Sequence, residues 1–174
     1  DPGELPSGGY VTSGQADISQ NGSSMTVNQY TDKMSAEWDT FNIGQDASVD
    51  FMQPGSSSVA LNRIHDQNPS QIFGRLSSNG QVFLLNPSGI YFGPTARVDV
   101  GGLVASSLNI SDEDFLKGKY SFESSGDAGA IRNDGNISAL NGGYLAFIAP
   151  EIKNTGLISA DKGSALFAAG DRVN

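Results

Sequence analysis

Cysteine is absent from the sequence, which removes disulfides, thiol nucleophiles and cysteine-ligated metal sites from consideration. The single histidine, His65, leaves too few nitrogen ligands for most zinc sites. Basic residues are scarce: ten Lys and Arg stand against nineteen Asp and Glu, for a formal net charge of −9 at pH 7. A field of that sign repels the phosphates of nucleic acid and of anionic lipid, so neither is an expected partner. No apolar run approaches the ~20 residues that span a bilayer. The longest candidate, Gly142 to Pro150, is short and broken by Gly and Pro, so no membrane insertion is expected. Hydrophobic residues make up 37%, low for a compact globule.

What is present points to strands and turns. The 22 glycines, with abundant Ser and Asn, suit tight turns between short strands, because Gly tolerates positive φ and Asn the left-handed region. An internal repeat gives the architecture. The stretch Ala130 to Ala139 recurs 21 positions later as Glu151 to Ala160, matching Ile131/Ile152, Asn133/Asn154, Gly135/Gly156, Ile137/Ile158, Ser138/Ser159 and Ala139/Ala160, with Gly142/Gly163 and Leu145/Leu166 continuing the alignment. Each unit reads as strand, Asn-x-Gly turn, strand, small-residue turn, strand, which is one coil of a solenoid. A leucine-rich repeat of similar period needs a helix and a Leu-x-x-Leu-x-Leu pattern in each unit, and neither occurs. The expected fold is all-β: a right-handed single-stranded parallel β-helix with an N-terminal capping segment and extra-helical β elements.

Earlier segments follow the same pattern less regularly, as in Gln81 to Leu85, Ile90 to Phe92, Arg97 to Val100 and Leu103 to Ala105. The whole of 1–174 reads as one domain. Its first 50 or so residues form the cap and 51–174 the coils, with an insertion near 109–124. Ser111 before Asp112-Glu113-Asp114 has the form of a helix N-cap, but an extra-helical insertion with little regular structure is the expectation. A solenoid end left without a polar cap, as at Leu166-Phe167-Ala168-Ala169, is expected to expose an apolar face and to continue into further coils. A first residue Asp1 fits either a mature chain after signal-peptide removal or an excised piece.

Asn86-Pro87-Ser88-Gly89-Ile90, preceded by Asn79-Gly80-Gln81-Val82-Phe83-Leu84-Leu85, resembles the Asn-Pro-Asn-Gly-Ile signature of the filamentous-haemagglutinin-type secretion domain of two-partner secretion. Trp38 with Phe41-Asn42-Ile43, Asn62-Arg63-Ile64 and Gly101 to Leu108 are further landmarks, so the resemblance covers nearly the whole chain. Ser88 stands where the family usually has Asn and keeps a small polar group able to bond nearby backbone. Asn68-Pro69-Ser70 is a loose match to the family's second motif, Asn-Pro-Asn-Leu.

The resemblance implies an N-terminal secretion domain of a large exported exoprotein. Its partner would be a TpsB-family outer-membrane β-barrel acting through periplasmic polypeptide-transport-associated (POTRA) domains. Transport would be of unfolded chain, followed by β-helix folding at the cell surface or outside the cell. A cysteine-free chain suits that route, since a periplasmic disulfide would close a loop too bulky for a narrow pore. The isolated domain is expected to be monomeric.

The remaining candidates have plainer readings. Asn86 to Ile90 also makes sense as a type I or II turn with Pro second, and any effect on secretion would come largely through that turn. His65 and Asp66 are adjacent, and adjacent residues of extended chain point to opposite faces, so a surface loop is expected. Asp112, Glu113 and Asp114 lack the spacing of a calcium loop. Sequons at Asn21, Asn109 and Asn136 are explained by composition, and Phe83, Tyr91, Phe92, Tyr144 and Phe147 are assigned to packing. No catalytic, cofactor-binding or metal-ligating set is expected. The alternatives kept open are a β-helical adhesive module that binds host or biofilm glycans and, below it, a polysaccharide-active enzyme, which would need two carboxylates set across a scissile bond.

Overall fold

The computed structural model describes residues 1–124 and 126–173, with only the backbone of Asn141. The chain opens with β1 (Tyr10–Ser13) and β2 (Ala16–Asn21) and then winds into coils of up to three short strands. The first coil holds β3 (Ser24–Gln29) and β4 (Lys33–Trp38). The second holds β5 (Ser48–Met52), β6 (Val59–Ile64) and β7 (Ser70–Ile72), and the third β8 (Arg75–Ser78), β9 (Gln81–Leu85) and β10 (Ile90–Phe92). In the fourth, β11 (Arg97–Ser106) bends across a corner. An excursion then carries α1 (Asp112–Leu116) and β12 (Phe122–Glu123) before β13 (Ile131–Asn133) resumes the coil. The chain continues through β14 (Asn136–Ala149), β15 (Ile152–Asn154), β16 (Leu157–Ala160) and β17 (Ser164–Ala169), and β18 (Arg172–Val173) pairs antiparallel with β12.

Parallel ladders join corresponding strands into a β-helix with three faces. Strands alternate inward and outward residues, so one inward position per coil builds an apolar column along the axis. Met25, Val49, Leu76, Val98, Ile137 and Ile158 are direct neighbours in such a column. Burial of each large side chain in it contributes about 1.5–3 kcal/mol. Parallel pairing already joins β3 to β5 and β4 to β6, so the coils begin near Ser24, ahead of the cap boundary expected at about residue 50. At this end β1 runs antiparallel to β4 and β2 antiparallel to β3, and Val11, Ala16 and Ile18 pack against the core.

The repeat is confirmed in register and corrected in its second half. Ile131 lies beside Ile152, Asn133 beside Asn154 and Ile137 beside Ile158. After the turn the alignment slips by one: Leu145 pairs with Ala165 and Phe147 with Phe167, so the expected Leu145/Leu166 and Gly142/Gly163 matches are wrong. The cause is turn length, since Leu140 to Gly143 is one residue longer than Asp161 to Gly163. Gly163 therefore sits on Gly143, where a Cβ would lie 1.8 Å from the Gly143 carbonyl oxygen.

The face formed by β6, β9, β11 and β14 is apolar on its outside too: Leu61, Phe83, Val104 and Ala146 point away from the helix interior and are buried. The excursion covers them with Leu108, Ile110, Phe115 and Phe122. It is more ordered than expected. Ser111 caps α1 by accepting a hydrogen bond from the Asp114 N–H, and Phe115 lies against Phe83 with ring centres 6.0 Å apart. Lys33, on the first coil, donates to the carbonyls of Phe115 and Leu116 at 3.2 and 3.1 Å, tying the end of α1 to that coil.

Candidate functional site

The segment Asn86 to Ile90 forms the corner between β9 and β10. The Asn86 carbonyl accepts from the Gly89 N–H at 2.9 Å, closing a four-residue turn with Pro87 second, and the Asn86 side-chain oxygen accepts from the Ser88 N–H at 2.9 Å. Ser88 does not have positive φ, so of the two expected turn types the geometry fits type I, with Asn first, Pro second and Gly fourth. Gly89 is required twice over: its φ is 108°, and a Cβ there would lie 2.5 Å from the Ala130 carbonyl oxygen of the next coil.

The structure brings the two candidate motifs together. Asn68, Pro69 and Ser70 occupy the equivalent corner one coil earlier, and Ser70 is in register with Ile90. Asn86 is fully buried and donates through Nδ2 to the Ser70 hydroxyl at 3.0 Å and to the Asn68 carbonyl at 3.3 Å. The Ser88 hydroxyl donates to the Asp66 carbonyl at 2.7 Å. On the other side, Gly129 N–H donates to the Pro87 carbonyl and Ile90 N–H to the Ala130 carbonyl. The five residues thus join three successive coils. Pro87 alone among them is exposed, and it lines a hollow of about 220 Å³ together with Ile64, His65, Leu85 and Leu108.

Other landmarks act by similar welding. Asn62, buried in the second coil, accepts from the Trp38 indole N–H at 3.0 Å and donates to the Phe83 carbonyl at 3.2 Å, tying three coils through one amide. Gln53 does the same at another corner, donating to Gln29 and to the Gln81 carbonyl while accepting from the Gly80 N–H. Sequence reasoning missed Gln29 and Gln53. Their signal was an apolar-to-polar switch at the end of a strand, legible only once the register is known. Tyr144 reaches over Gly102 to donate to Gln81 at 2.7 Å, two coils away, so it does more than pack. Burial keeps its phenol well above the usual pKa.

His65, Asp112 and Glu113 bond to near neighbours on the surface. His65 faces Glu37 at 2.7 Å, while the Asp66 carboxylate turns to the Asn68 N–H, so the two do not form a pair. Asp112 pairs with Arg63, and Glu113 with Lys117 at 2.7 Å, so those carboxylates are engaged in ion pairs. Asp134 receives hydrogen bonds from Thr155 and Tyr91 on the neighbouring coils and from Arg132 two residues before it, which hold its carboxyl far below the usual carboxylate range. At the far end, Leu157, Leu166 and Phe167 are 68%, 56% and 47% exposed, as the sequence led one to expect.

Comparison with known proteins follows the same line. The family model for the TPS secretion domain matches residues 3–174. Two heme/hemopexin-binding proteins of Haemophilus influenzae are similar, one 41% identical over 62% of this chain and the other 39% identical over 56%. The matched segment amounts to 12% and 11% of those relatives' own lengths. The crystal structure of the HMW1 secretion domain from Haemophilus influenzae superposes with a TM-score of 0.90 at 34% identity, over 96% of this chain and 45% of that one.

Proposed function

We propose that this chain, which belongs to the TPS secretion-domain family, directs a longer exported polypeptide to its outer-membrane transporter and then starts the folding of that polypeptide beyond the membrane. The transporter is a TpsB-type β-barrel whose periplasmic POTRA domains take hold of the chain while it is unfolded. An extended segment can be bound there by strand addition. The product is released outside the cell or held on its surface. The domain acts as a monomer and performs no catalysis, a reading supported by the secretion role of its family.

The observation that carries the folding half of this proposal is the coil-on-coil register of the stack. β1 and β2 run antiparallel beside the first coil. From Ser24 onward each coil lies in parallel register on the one before it, down to β15, β16 and β17 on β13 and β14. Stacking on an existing coil avoids the cost of forming a first one. Within the domain, Asn86 to Ile90 supplies the weld between coils on which such stacking depends. The heme/hemopexin-binding relatives are named for whole polypeptides of which this region is a small part, and we place ligand capture of that kind outside the secretion domain.

The test is secretion of the domain into culture supernatant with and without its co-expressed transporter. Export that needs the transporter, is lost in Asn86→Ala and is retained in Asn68→Ala supports the proposal. Asn68→Ala is the right control because its side chain is exposed and Asn86 bonds only its backbone carbonyl. Export without any transporter, or none with a cognate one, overturns it in favour of a free-standing adhesive β-helix.

A further inference from the structure

Five arginines occur in the chain. Arg63, Arg132 and Arg172 each pair with a carboxylate, on Asp112, Asp134 and Glu123 respectively. Arg75 and Arg97 have neither an ion pair nor a hydrogen bond from their side chains, and these two are direct register neighbours on the parallel strands β8 and β11. Both are exposed, and both project from the outer side of the same face. Adjacent strands lie about 4.8 Å apart, so the two side chains leave the sheet next to one another, and neither is ion-paired with a carboxylate. Like charges directly opposite on a sheet destabilise it. In a chain with nearly twice as many acidic as basic residues, the pair is a local exception to the overall field.

The surface around them is concave. A hollow of about 380 Å³ is lined by Arg75 and Arg97 together with Gln45, Asp46, Ser48, Gly74 and Thr95. Another segment passes close to Gly74: a Cβ there would lie 2.1 Å from the Gly44 carbonyl oxygen. The Ser48 and Thr95 hydroxyls already donate, to Ser24 and to the Phe73 carbonyl. The free donors are therefore the two guanidinium groups and the Gln45 amide. Asp46 is the one carboxylate on the wall, outnumbered by the two cations, and it is a ready acceptor for a hydroxyl beside the anionic group.

We infer that Arg75 and Arg97 form a site for a tetrahedral oxyanion, the phosphate or sulfate group of a small molecule or of a substituted sugar, bridged between the two guanidinium groups. The planar fork of each arginine matches an oxyanion edge with two parallel N–H donors, and a bridging anion removes the repulsion between the two. The site is separate from the Asn86 corner and goes beyond the secretion role.

The experiment is calorimetric titration of the folded domain with sodium sulfate, with sodium phosphate and with a sulfated heparin disaccharide, each at constant ionic strength balanced with chloride, because unspecific attraction is screened by salt. The expected result is saturable binding at one site per chain, weakened at least about tenfold in Arg75→Gln and in Arg97→Gln and unchanged in Arg172→Gln. A far-UV circular dichroism spectrum of each variant that matches the parent shows that the fold is kept, as it should be for exposed side chains. Tighter binding of the disaccharide than of the inorganic ions, lost in Asp46→Asn, identifies a sugar-borne group as the source, whereas equal binding of all three identifies the free ion. Failure of both ions and the disaccharide to saturate above chloride, or equal binding by the Arg75→Gln/Arg97→Gln double variant, overturns the site.

Discussion

Replacing Asn86 by Ala removes more than a turn residue. Three hydrogen bonds go: Nδ2 to Ser70, Nδ2 to the Asn68 carbonyl, and Oδ1 from the Ser88 N–H. Each contributes about 1 kcal/mol net, and leaving a buried partner unsatisfied costs about 1–3 kcal/mol more. The Ser70 hydroxyl is fully buried and cannot turn to bulk water, whereas Ser88 N–H, part-buried near the surface, can recover a bond to solvent. The expected loss is therefore about 3 kcal/mol, with no large cavity term because the side chain is small. For a domain of this size that corresponds to a fall in Tm of roughly 6–12 °C. Urea unfolding followed by circular dichroism measures it. Asn68→Ala, which touches none of these three bonds, should lose under about 1 kcal/mol. A loss below 1 kcal/mol for Asn86→Ala, or equal losses for the two variants, would refute the idea that the signature welds coils.

Gly89→Ala forces a Cβ against the Ala130 carbonyl at a φ that other residues avoid, and should cost about 2–4 kcal/mol, read as a lowered urea midpoint with unchanged m. Lys33→Met frees the end of α1 and should raise the rate of proteolytic cleavage within 107–124 roughly fivefold, equivalent to about 1 kcal/mol, with little change in global stability. Phe115→Ala should destabilise by about 3–5 kcal/mol, because it empties the layer over Phe83, and equality with a surface substitution would contradict that packing. Asp134 has a depressed carboxyl pKa, so its contribution is present above the unfolded value near ~4 and is lost as pH falls below it; the stability gap between wild type and Asp134→Asn should be open at pH 7 and narrow between pH 4 and 2.

The parallel helix was legible because Ile131 to Ala139 recurs as Ile152 to Ala160 with the same inward residues, and a column of inward residues is what coil stacking requires. The slip at Leu145 was not legible, since similarity along the chain cannot show that one turn of a pair is a residue shorter. Val82-Phe83-Leu84-Leu85 carried a signal that was only partly used. A run without alternation is buried on both faces, which already calls for a second layer, and that layer is the excursion with Phe115 and Phe122. Its short helix was visible in Ser111 and the acidic first turn. What favoured it over irregular chain was tertiary: Phe115 buried below and Lys33 capping the end. Arg75 and Arg97 are 22 positions apart and mean nothing in sequence until the coil sets them side by side.

If the proposed role in export is right, the corner at Asn86 supplies a route by which a short motif acts on export without touching the exporter. Nearly every bond it makes beyond its own turn runs to another coil: to Asp66, Asn68 and Ser70 on one side, to Ser106, Gly129 and Ala130 on the other. In a linear stack, stability is a sum of coil terms and interface terms, and folding advances only if each interface outweighs the entropy of ordering the next coil. A residue that contributes to the interface terms and little to the coil itself controls that advance. Changing it leaves the unfolded chain, the form in which the proposed transporter would receive it, chemically almost unaltered. Binding of the unfolded Asn86→Ala chain to isolated POTRA domains should therefore equal that of wild type even where its secretion fails. A matching loss of binding would instead locate the motif's role in direct recognition, and would separate the two uses of this corner that its geometry alone keeps together.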